Sequence, residues 1–412
     1  MPYHQPHMQR HPIRHLIALA ALGAVTALDP LVAAPLKVYL MSGQSNMQGY
    51  CAVHTFPQIA ADPVTAPIYQ KMTNPDGTPR VHENVWISTA GCAKDATPGP
   101  LTAGFGAGKK GDRIGPELTF GIYLQEHLKQ PILLIKPAWG GKSLCRDFRP
   151  PSAGSHPSHL KALAEFRKQN KDTAEMERDY AENHGKYYRM MIAHAKSVLA
   201  DIKQVYPAYD ASQGYELAGF VWFQGENDFG EKDTYPNPGA SGGFAGYSRL
   251  LACLIRDIRK ELNAPRMKAV IGVLGFNGEL ETERYRQIEP EHIPWLREFR
   301  KAMAAPVDMP EFKGQVAAVR TEEFWEPRLE ELQGRWKRVK AKNGELKAQG
   351  LNKEQQKAAM DEFLKTVYNP EEWELMETGV SHACYHYLGS AKIMSRIGKA
   401  FAEAMIQLED GH

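Results

Sequence analysis

The stretch YLMSGQSNMQGY, residues 39–50, joins an apolar run to a cluster of small and amide side chains. Short apolar runs bounded by Gly or Pro are typical of buried parallel strands. We therefore predict a first strand at Val38–Met41, with Gly43 permitting a tight turn after it. Ser45 then lies at the carboxyl end of this strand, the edge where open parallel sheets form their sites.

Four further segments have the same apolar character: Ile132–Ile135, Gly219–Phe223, Ala269–Leu274 and Val316–Val319. Amphipathic helical patterns lie between or after them, in GPELTFGIYLQEHL, GKYYRMMIAHAKSVLADIKQVY and GSAKIMSRIGKAFAEAMIQL. Strands that alternate with helices favour a parallel sheet covered by helices on both faces. The sequence therefore predicts an α/β fold with a five-stranded parallel sheet.

Two regions interrupt the alternation. Residues 51–114 are rich in Gly, Pro and Thr and are interpreted as loops. Residues 322–368 are highly charged and predict a solvated helical hairpin inserted before the last element.

The first 34 residues have the layout of a secretory signal peptide. A basic segment precedes LIALAALGAVTAL, an apolar run too short to span a bilayer comfortably, and small residues follow it. Cleavage is expected near Ala33 or Ala34, and an uncleaved membrane anchor is the alternative. Residues 35–412 then form one domain that is secreted or periplasmic, with no stable membrane association after cleavage.

Net charge and cysteine content limit the kinds of partner and of metal or redox site that the sequence indicates. A net charge of +2 gives no field that favours nucleic acid or an anionic membrane. Five cysteines are an odd number, so an exported chain keeps at least one free thiol, and a pairing of Cys51 with Cys92 remains open. Because no CxxC occurs, a zinc ribbon or a thioredoxin-like site is not indicated.

Polar motifs follow the predicted strands on the edge that holds Ser45. KPAWGGKSL (136–144) follows the second strand, and WFQGEND (222–228) ends the third. SHACYHYLGSAK (381–392) places His386 before the last helix. A serine, a histidine, glycine amides and an amide side chain are the components of acyl transfer. Capping of a helix is the alternative interpretation of Ser45.

Together, GQSNM, AWGG, WFQGEND and YHYLGSAK resemble the sialate O-acetylesterase and acetylxylan esterase group, which is carbohydrate esterase family six of the SGNH hydrolase superfamily. The resemblance runs from about Lys37 to the C-terminal helix. It implies a flavodoxin-like three-layer α/β/α sandwich, the SGNH hydrolase fold. It also implies hydrolysis of O-acetyl esters on carbohydrates without a cofactor or metal, with an acetylated carbohydrate as the partner.

The resemblance also assigns roles to single residues. Ser45 matches the nucleophile, and its backbone N–H is one oxyanion donor. Gly140 matches a second donor, with Gly141 as a neighbouring alternative. Gln224 occupies the place of an amide donor to the oxyanion, and His386 matches the general base.

One departure concerns the acid that orients the histidine. The family usually carries an Asp a few residues before its catalytic His, but Ala383 and His382 stand there. Asp228, Glu226 or a backbone carbonyl could orient His386 instead. The missing Asp leaves open a catalytically weak or inactive carbohydrate-binding protein on an esterase scaffold. An esterase for a non-sugar ester is a further alternative.

Other residues have two interpretations each. His382 and His386 have the spacing of metal ligands on a helix, but no third ligand is near in sequence. Glu226 and Asp228 could be a carboxylate pair for glycoside hydrolysis, although they share one short loop. The candidates for substrate contacts are Asn46, Trp139, Gly141 and Arg146, of which Trp139 could be core and Arg146 could pair with Asp147.

Overall fold

The computed structural model of the chain describes residues 1–3, 34–94, 97–108, 112–281 and 292–411. The predicted signal peptide falls almost entirely on residues 4–33, which lie outside the described residues. Pro35–His412 forms one unit. In the described part of the chain, no helix combines the length and the apolar character needed to cross a bilayer.

The unit is built on a mostly parallel sheet. The strands are β1 Leu36–Gly43, β2 Cys51–Ala52, β3 His82–Ala90, β4 Gly99–Leu101, β5 Arg113–Ile114, β6 Ile132–Pro137, β7 Tyr215–Phe223, β8 Lys268–Val273 and β9 Val316–Arg320. Seven of them form one sheet in the order β4-β3-β6-β1-β7-β8-β9, and β2 pairs with β5 in a small second sheet. Every neighbouring pair of the large sheet is parallel except β3 with β4.

Both faces of this sheet are buried. Successive side chains of a strand point to opposite faces, and along β1 they enter two different hydrophobic clusters. Val38 and Leu40 belong to one cluster, whereas Tyr39 and Met41 belong to the other. Because both faces of a central strand are covered along most of its length, that part of the strand appears in the sequence as an unbroken apolar run rather than as an alternation.

Helices supply the other side of each cluster. Lys186–Ala200, Ala245–Glu261 and Ile293–Ala304 contribute to the Val38 cluster. Glu117–Leu128 and Ala391–Asp410 contribute to the Tyr39 cluster. The remaining α-helices among the described residues are Ser45–Gln48, Pro57–Ala61, Ala66–Met72, Pro157–Lys168, Ala174–Asn183, Glu226–Phe229, Pro327–Ala348, Lys353–Val367 and Pro370–Gly379.

The α/β class and the five predicted strands are confirmed, but the count of five strands is wrong. The stretch 51–114, interpreted as loops, contributes β3 and β4 to the sheet. β3 lies toward one edge of the sheet, and only part of it is buried: Val85 and Ile87 are inaccessible to solvent, while Glu83 and Asn84 are exposed. Its sequence therefore lacks the continuous apolar run that reveals the central strands.

The charged stretch 322–368 contains the helices Pro327–Ala348 and Lys353–Val367. Together with Pro370–Gly379 they bury a small third cluster of Leu332, Val339, Val367, Tyr368 and Met376. Arg335 pairs with Glu331 of its own helix at 2.6 Å and with Glu372 of the helix Pro370–Gly379 at 2.9 Å. Many of the other charged side chains of these helices are exposed to solvent.

Candidate active site

A cavity of about 750 Å³ lies where the loops after β1, β6 and β7 meet. This is the carboxyl edge of the parallel strands, where α/β folds place their ligands. The lining residues are Ser45, Gln48, Tyr50, Gly140, Gly141, Glu226, Asn227, Gly230, Glu231, Tyr385 and His386. Residues from opposite ends of the sequence thus share one site.

Ser45 begins a four-residue helix directly after β1 and is 5% exposed. The turn before it requires glycine, because a Cβ on Gly43 would lie 2.1 Å from the carbonyl oxygen of Phe223. The first N–H groups of a helix have no acceptor within that helix. The Ser45 N–H is therefore free of the helix's own hydrogen bonds, next to the Ser45 hydroxyl.

The paired glycines after β6 bring backbone to the same point. A Cβ on Gly140 would lie 3.7 Å from the Cβ of Ser45 and 2.8 Å from Oε1 of Gln48. Gly141 has a φ of +70° with open space around its Cα. Gly140 and Gly141 line the cavity beside Ser45, where backbone donors can meet an oxyanion.

Asp228 is fully buried and holds the loop after β6 in place. Its carboxylate accepts the backbone N–H groups of Leu144 and Cys145 and the hydroxyl of Tyr235. Burial raises the pKa of Asp228 above its ordinary value, and these hydrogen bonds act in the opposite direction. The carboxylate makes no hydrogen bond to His386. The expectation that Asp228 orients the histidine is therefore corrected.

Gln224 belongs to the same buried network and does not line the cavity. Its Nε2 donates to Oδ2 of Asp228 at 2.7 Å and lies 3.1 Å from the carbonyl oxygen of Lys142. Its Oε1 accepts from the Tyr247 hydroxyl at 3.0 Å. Because protein acceptors take up the amide hydrogens, direct donation from Gln224 to an oxyanion is not what this geometry shows. Asn227, from the same motif, lines the cavity instead.

Two glutamates lie at the cavity. Glu226 lines it, and burial raises the pKa of Glu226 to about 7. Its carboxylate makes no hydrogen bond to His386, so it is not the orienting acid in this structure. Glu231 forms an ion pair with Arg146 at 3.1 Å. Arg146 therefore contacts Glu231 rather than Asp147, which pairs with Lys142 at 3.6 Å.

His386 is held by a closed loop. The backbone N–H groups of Ser381 and His382 both donate to the carbonyl of Leu388, and the His386 N–H donates to that of Ala383. Tyr387 and Leu388 adopt φ values of +51° and +61°, a left-handed conformation that is costly for side-chain-bearing residues.

Buried packing maintains this conformation. Tyr387 is inaccessible to solvent, and its hydroxyl lies 2.6 Å from Oγ1 of Thr321 and accepts the Gly275 N–H at 2.9 Å. Such over-determined strain is common where a fold fixes a functional side chain.

His386 is 8% exposed, and its ring lies in a cationic and aromatic environment. It stacks on Tyr50, with ring centroids 4.1 Å apart, and Arg113 lies over the Tyr50 ring. Its Nδ1 lies 2.9 Å from Nδ1 of His382. Burial, followed by the neighbouring His382 and Arg113, lowers the pKa of His386 to about 3.

The sequence model of one family, carbohydrate esterase, sialic acid-specific acetylesterase, matches residues 35–299. The chain belongs to this family. Its members are carbohydrate acetylesterases, which are hydrolases of carboxylic esters. The match covers the loops that carry Ser45, Gly140 and Asn227, whereas His386 lies beyond it. A comparison with curated protein sequences finds no significant match.

Three solved structures are similar to this carbohydrate esterase. A protein from Arabidopsis thaliana is 13% identical, with a TM-score of 0.44, 90% of this chain covered and 98% of the other. A novel carbohydrate acetylesterase from Xanthomonas citri is 14% identical, with a TM-score of 0.35 and coverages of 68% and 49%. NanS is 13% identical, with a TM-score of 0.37 and coverages of 69% and 78%.

Three of the four predicted substrate contacts, Asn46, Trp139 and Arg146, do not line the cavity of the esterase. Asn46 is 1% exposed and does not line it. Trp139 packs between Phe148 and Tyr187, with ring centroids 6.1 Å and 5.4 Å away. Asn46 is buried and Trp139 is partly buried, and neither is part of the cavity wall, so the cavity lining gives no support to the predicted sugar contacts of these two residues.

The cavity also contains residues of the esterase that sequence reasoning missed. They are Gln48, Tyr50, Asn227, Gly230, Glu231 and Tyr385. Asn227 stands inside the quoted WFQGEND motif, so its neighbourhood was the available signal. Tyr50 ends the GQSNM stretch but gave no signal of its own, because stacking on a distant histidine is a tertiary contact.

Among the described residues, no group of three or more His, Cys, Asp or Glu side chains is arranged to hold a metal ion. All five cysteines of the esterase are free thiols, so Cys51 does not pair with Cys92. Cys51 is buried, and burial raises the pKa of its thiol above its ordinary value. This thiol is therefore neutral and unreactive at physiological pH.

Proposed function

We propose that this carbohydrate esterase is an exported O-acetylesterase that uses Ser45 as nucleophile and His386 as general base. The observation that carries the proposal is that Ser45, Gly140 and His386 line one cavity although the sequence separates them widely. The finer assignments also remain proposals: the SGNH hydrolase fold with its flavodoxin-like sandwich, the Ser–His mechanism, and a sugar or polysaccharide as the acetylated partner.

The first half of the reaction transfers the acetyl group to the enzyme. Ser45 Oγ forms a bond to the acetyl carbonyl carbon and gives its proton to Nε2 of His386. The oxyanion is stabilised by the backbone N–H groups of Ser45 and Gly140 and by the Asn227 amide. The tetrahedral intermediate then expels the sugar alkoxide, which takes the proton back from His386.

The second half hydrolyses the acetyl-enzyme. His386 takes a proton from water, and the resulting oxygen nucleophile attacks the same carbonyl carbon through the same oxyanion donors. Collapse releases acetate and returns the proton to Ser45. No step requires a cofactor. The net charge of +2 gives no general electrostatic attraction toward nucleic acid.

The test is acetate release from p-nitrophenyl acetate, acetylated xylan and O-acetyl sialic acid. Ser45→Ala should lower turnover by roughly 10³-fold or more, because removal of a triad nucleophile leaves only binding and the oxyanion donors. Ser212→Ala, at an exposed serine of a surface turn, is the matched control and should leave turnover unchanged. A folded wild type without turnover on any acetyl ester would favour the carbohydrate-binding alternative.

A further inference from the structure

His386 requires an acceptor for the hydrogen on its far ring nitrogen. In a serine esterase the nitrogen facing the nucleophile must be unprotonated, so the neutral imidazole carries its hydrogen on the other nitrogen. A hydrogen-bond acceptor there fixes both the tautomer and the ring orientation. Carboxylates usually do this, but neither Asp228 nor Glu226 makes a hydrogen bond to His386.

His382 provides the one hydrogen-bond contact that the structure shows for the His386 ring among the described residues. The two Nδ1 atoms lie 2.9 Å apart, within ordinary hydrogen-bond length. Such a contact requires one nitrogen to be protonated and the other to be bare. If His386 carries the hydrogen on Nδ1, its Nε2 is the bare nitrogen that Ser45 needs. His382 then accepts at Nδ1 and holds its own hydrogen on Nε2.

His382 is fixed independently of this contact. Its backbone N–H donates to Leu388 at 3.0 Å, and Nε2 of Gln333 lies 3.4 Å from its carbonyl oxygen. The ring packs against Tyr50, with centroids 4.9 Å apart, and against the edge of Tyr385 at 6.1 Å. A ring fixed on several sides can position a partner, because little rotational freedom is left to lose.

We propose that His382 is the positioning residue of this esterase, accepting the Nδ1–H of His386 in place of a carboxylate. The inference rests on the proposed function, since it concerns the base of that reaction. The site then has a Ser45–His386–His382 triad in which the third residue is neutral. His382 orients the base but contributes no negative charge to stabilise the imidazolium that forms during each proton transfer.

Because His382 is neutral, no negative charge next to His386 offsets the positive charges around it. His382 and Arg113 oppose a positive charge on His386, and the flanking Tyr50 and Tyr385 rings are uncharged. Among carboxylates at the cavity, Glu226 and Glu231 make no hydrogen bond to the ring. The pKa of His386, lowered to about 3, agrees with this arrangement. Because only neutral His386 is a base, turnover should persist well below pH 6, but with a weak base and a modest kcat.

Three substitutions at His382 separate orientation from charge. Asn places an acceptor oxygen close to the position of the imidazole Nδ1, Leu fills similar space without an acceptor, and Asp adds an acceptor that is charged. Turnover of p-nitrophenyl acetate is measured against pH for each folded variant. His54→Asn, at an exposed histidine, is the control for the loss of a histidine.

The expected results differ in kind. H382L should lower kcat by roughly 100-fold or more with little change in KM, since a misoriented base affects the chemical step. H382N should keep most of the turnover. H382D should move the acid limb of the kcat/KM profile upward by roughly 1–3 pH units, because a neighbouring carboxylate favours the protonated ring.

Equal turnover in H382L and wild type, or an acid limb that H382D does not move, would overturn the inference. If H382L does not fold, the comparison of H382N with H382D still decides through the acid limb. These outcomes are distinguishable from failure of the proposed function. In that case the wild type itself lacks turnover that depends on Ser45, and the His382 variants have no activity to compare.

Discussion

The carboxylate of Glu117 lies 2.5 Å from the ammonium of Lys136, and neither side chain is exposed to solvent. Lys136 also donates to the carbonyl oxygens of Gln48 and Phe105 at 3.0 Å. Gln48 ends the short helix that begins at Ser45. A buried ion pair thus holds the end of the short helix that begins at Ser45.

Removing one member of this pair should be costly. We expect Lys136→Met to lower the free energy of unfolding by about 3–5 kcal/mol, because it leaves the Glu117 carboxylate buried and unpaired. The double variant Lys136→Met/Glu117→Gln should recover part of that loss. Lys196→Met, at an exposed pair with Glu261, should change stability by less than about 1 kcal/mol. Urea unfolding measures all three, and equal effects at both lysines would contradict the prediction.

Replacing glycine by alanine should change stability in opposite directions at two positions. Gly43→Ala places a Cβ 2.1 Å from the backbone of Phe223. It should therefore separate β1 from β7 and prevent the accumulation of folded protein. Gly334→Ala lies on an exposed helical face with open space around it, and should raise the free energy of unfolding by about 0.5–1 kcal/mol. Soluble yield and urea unfolding test the pair, and a stable Gly43→Ala protein would refute the close approach.

The raised pKa of Glu226 predicts that the free energy of unfolding falls as pH rises. Burial raises its pKa from 4.5 to about 7, so the folded protein holds this proton more tightly than the unfolded chain does. Between pH 4.5 and 7 the unfolded chain loses this proton while the folded protein still holds it. The free energy of unfolding therefore decreases as pH rises through this range. Above about pH 7 that loss is complete.

Glu226→Gln cannot ionise and should remove this dependence. We expect its Tm to equal that of wild type near pH 4.5 and to exceed it at about pH 8. Calorimetry across that range measures the difference. Glu377→Gln, at an exposed glutamate outside this cavity, is the control. Parallel Tm curves for Glu226→Gln and wild type would contradict the assignment.

Asp228→Asn should damage the oxyanion site through its loop. An asparagine amide would direct an N–H₂ group at some of the donors that now converge on the carboxylate, and buried donors without acceptors cost about 1–3 kcal/mol each. We therefore expect a loss of at least about 2 kcal/mol of stability and a lower kcat. Asp361→Asn, on an exposed helical face, should change neither. Urea unfolding and acetate release check the prediction, and an Asp228→Asn variant with wild-type kcat would contradict it.

The central strands could be predicted from sequence because helices cover both of their faces, and such strands consist largely of consecutive apolar residues. β3 could not, because a partly exposed strand near a sheet edge mixes polar with apolar positions. The motifs pointed to Ser45, Gly140 and His386, and these three residues line one cavity, while their catalytic roles stay a prediction. Within WFQGEND, however, sequence could not tell which side chains turn inward, so Gln224 was assigned a role for which Asn227 has the accessible position.

The partner of His386 was beyond sequence reasoning for a different reason. His382 was considered only as a metal ligand, from its spacing of four on a helix. The chain there is not a regular helix, since Tyr387 and Leu388 have positive φ values. Only the closed loop they produce brings the two imidazole rings together.

The order of the site residues along the chain has a consequence for synthesis. Ser45 and the glycine loop are translated well before His386, which follows all the strands of the large sheet. The helix Ala391–Asp410 must then dock against Glu117–Leu128 and the sheet before the loop that carries His386 is fixed. A polypeptide that stops before His386 should therefore be inert toward esters, even though it already carries Ser45 and the strands of the large sheet.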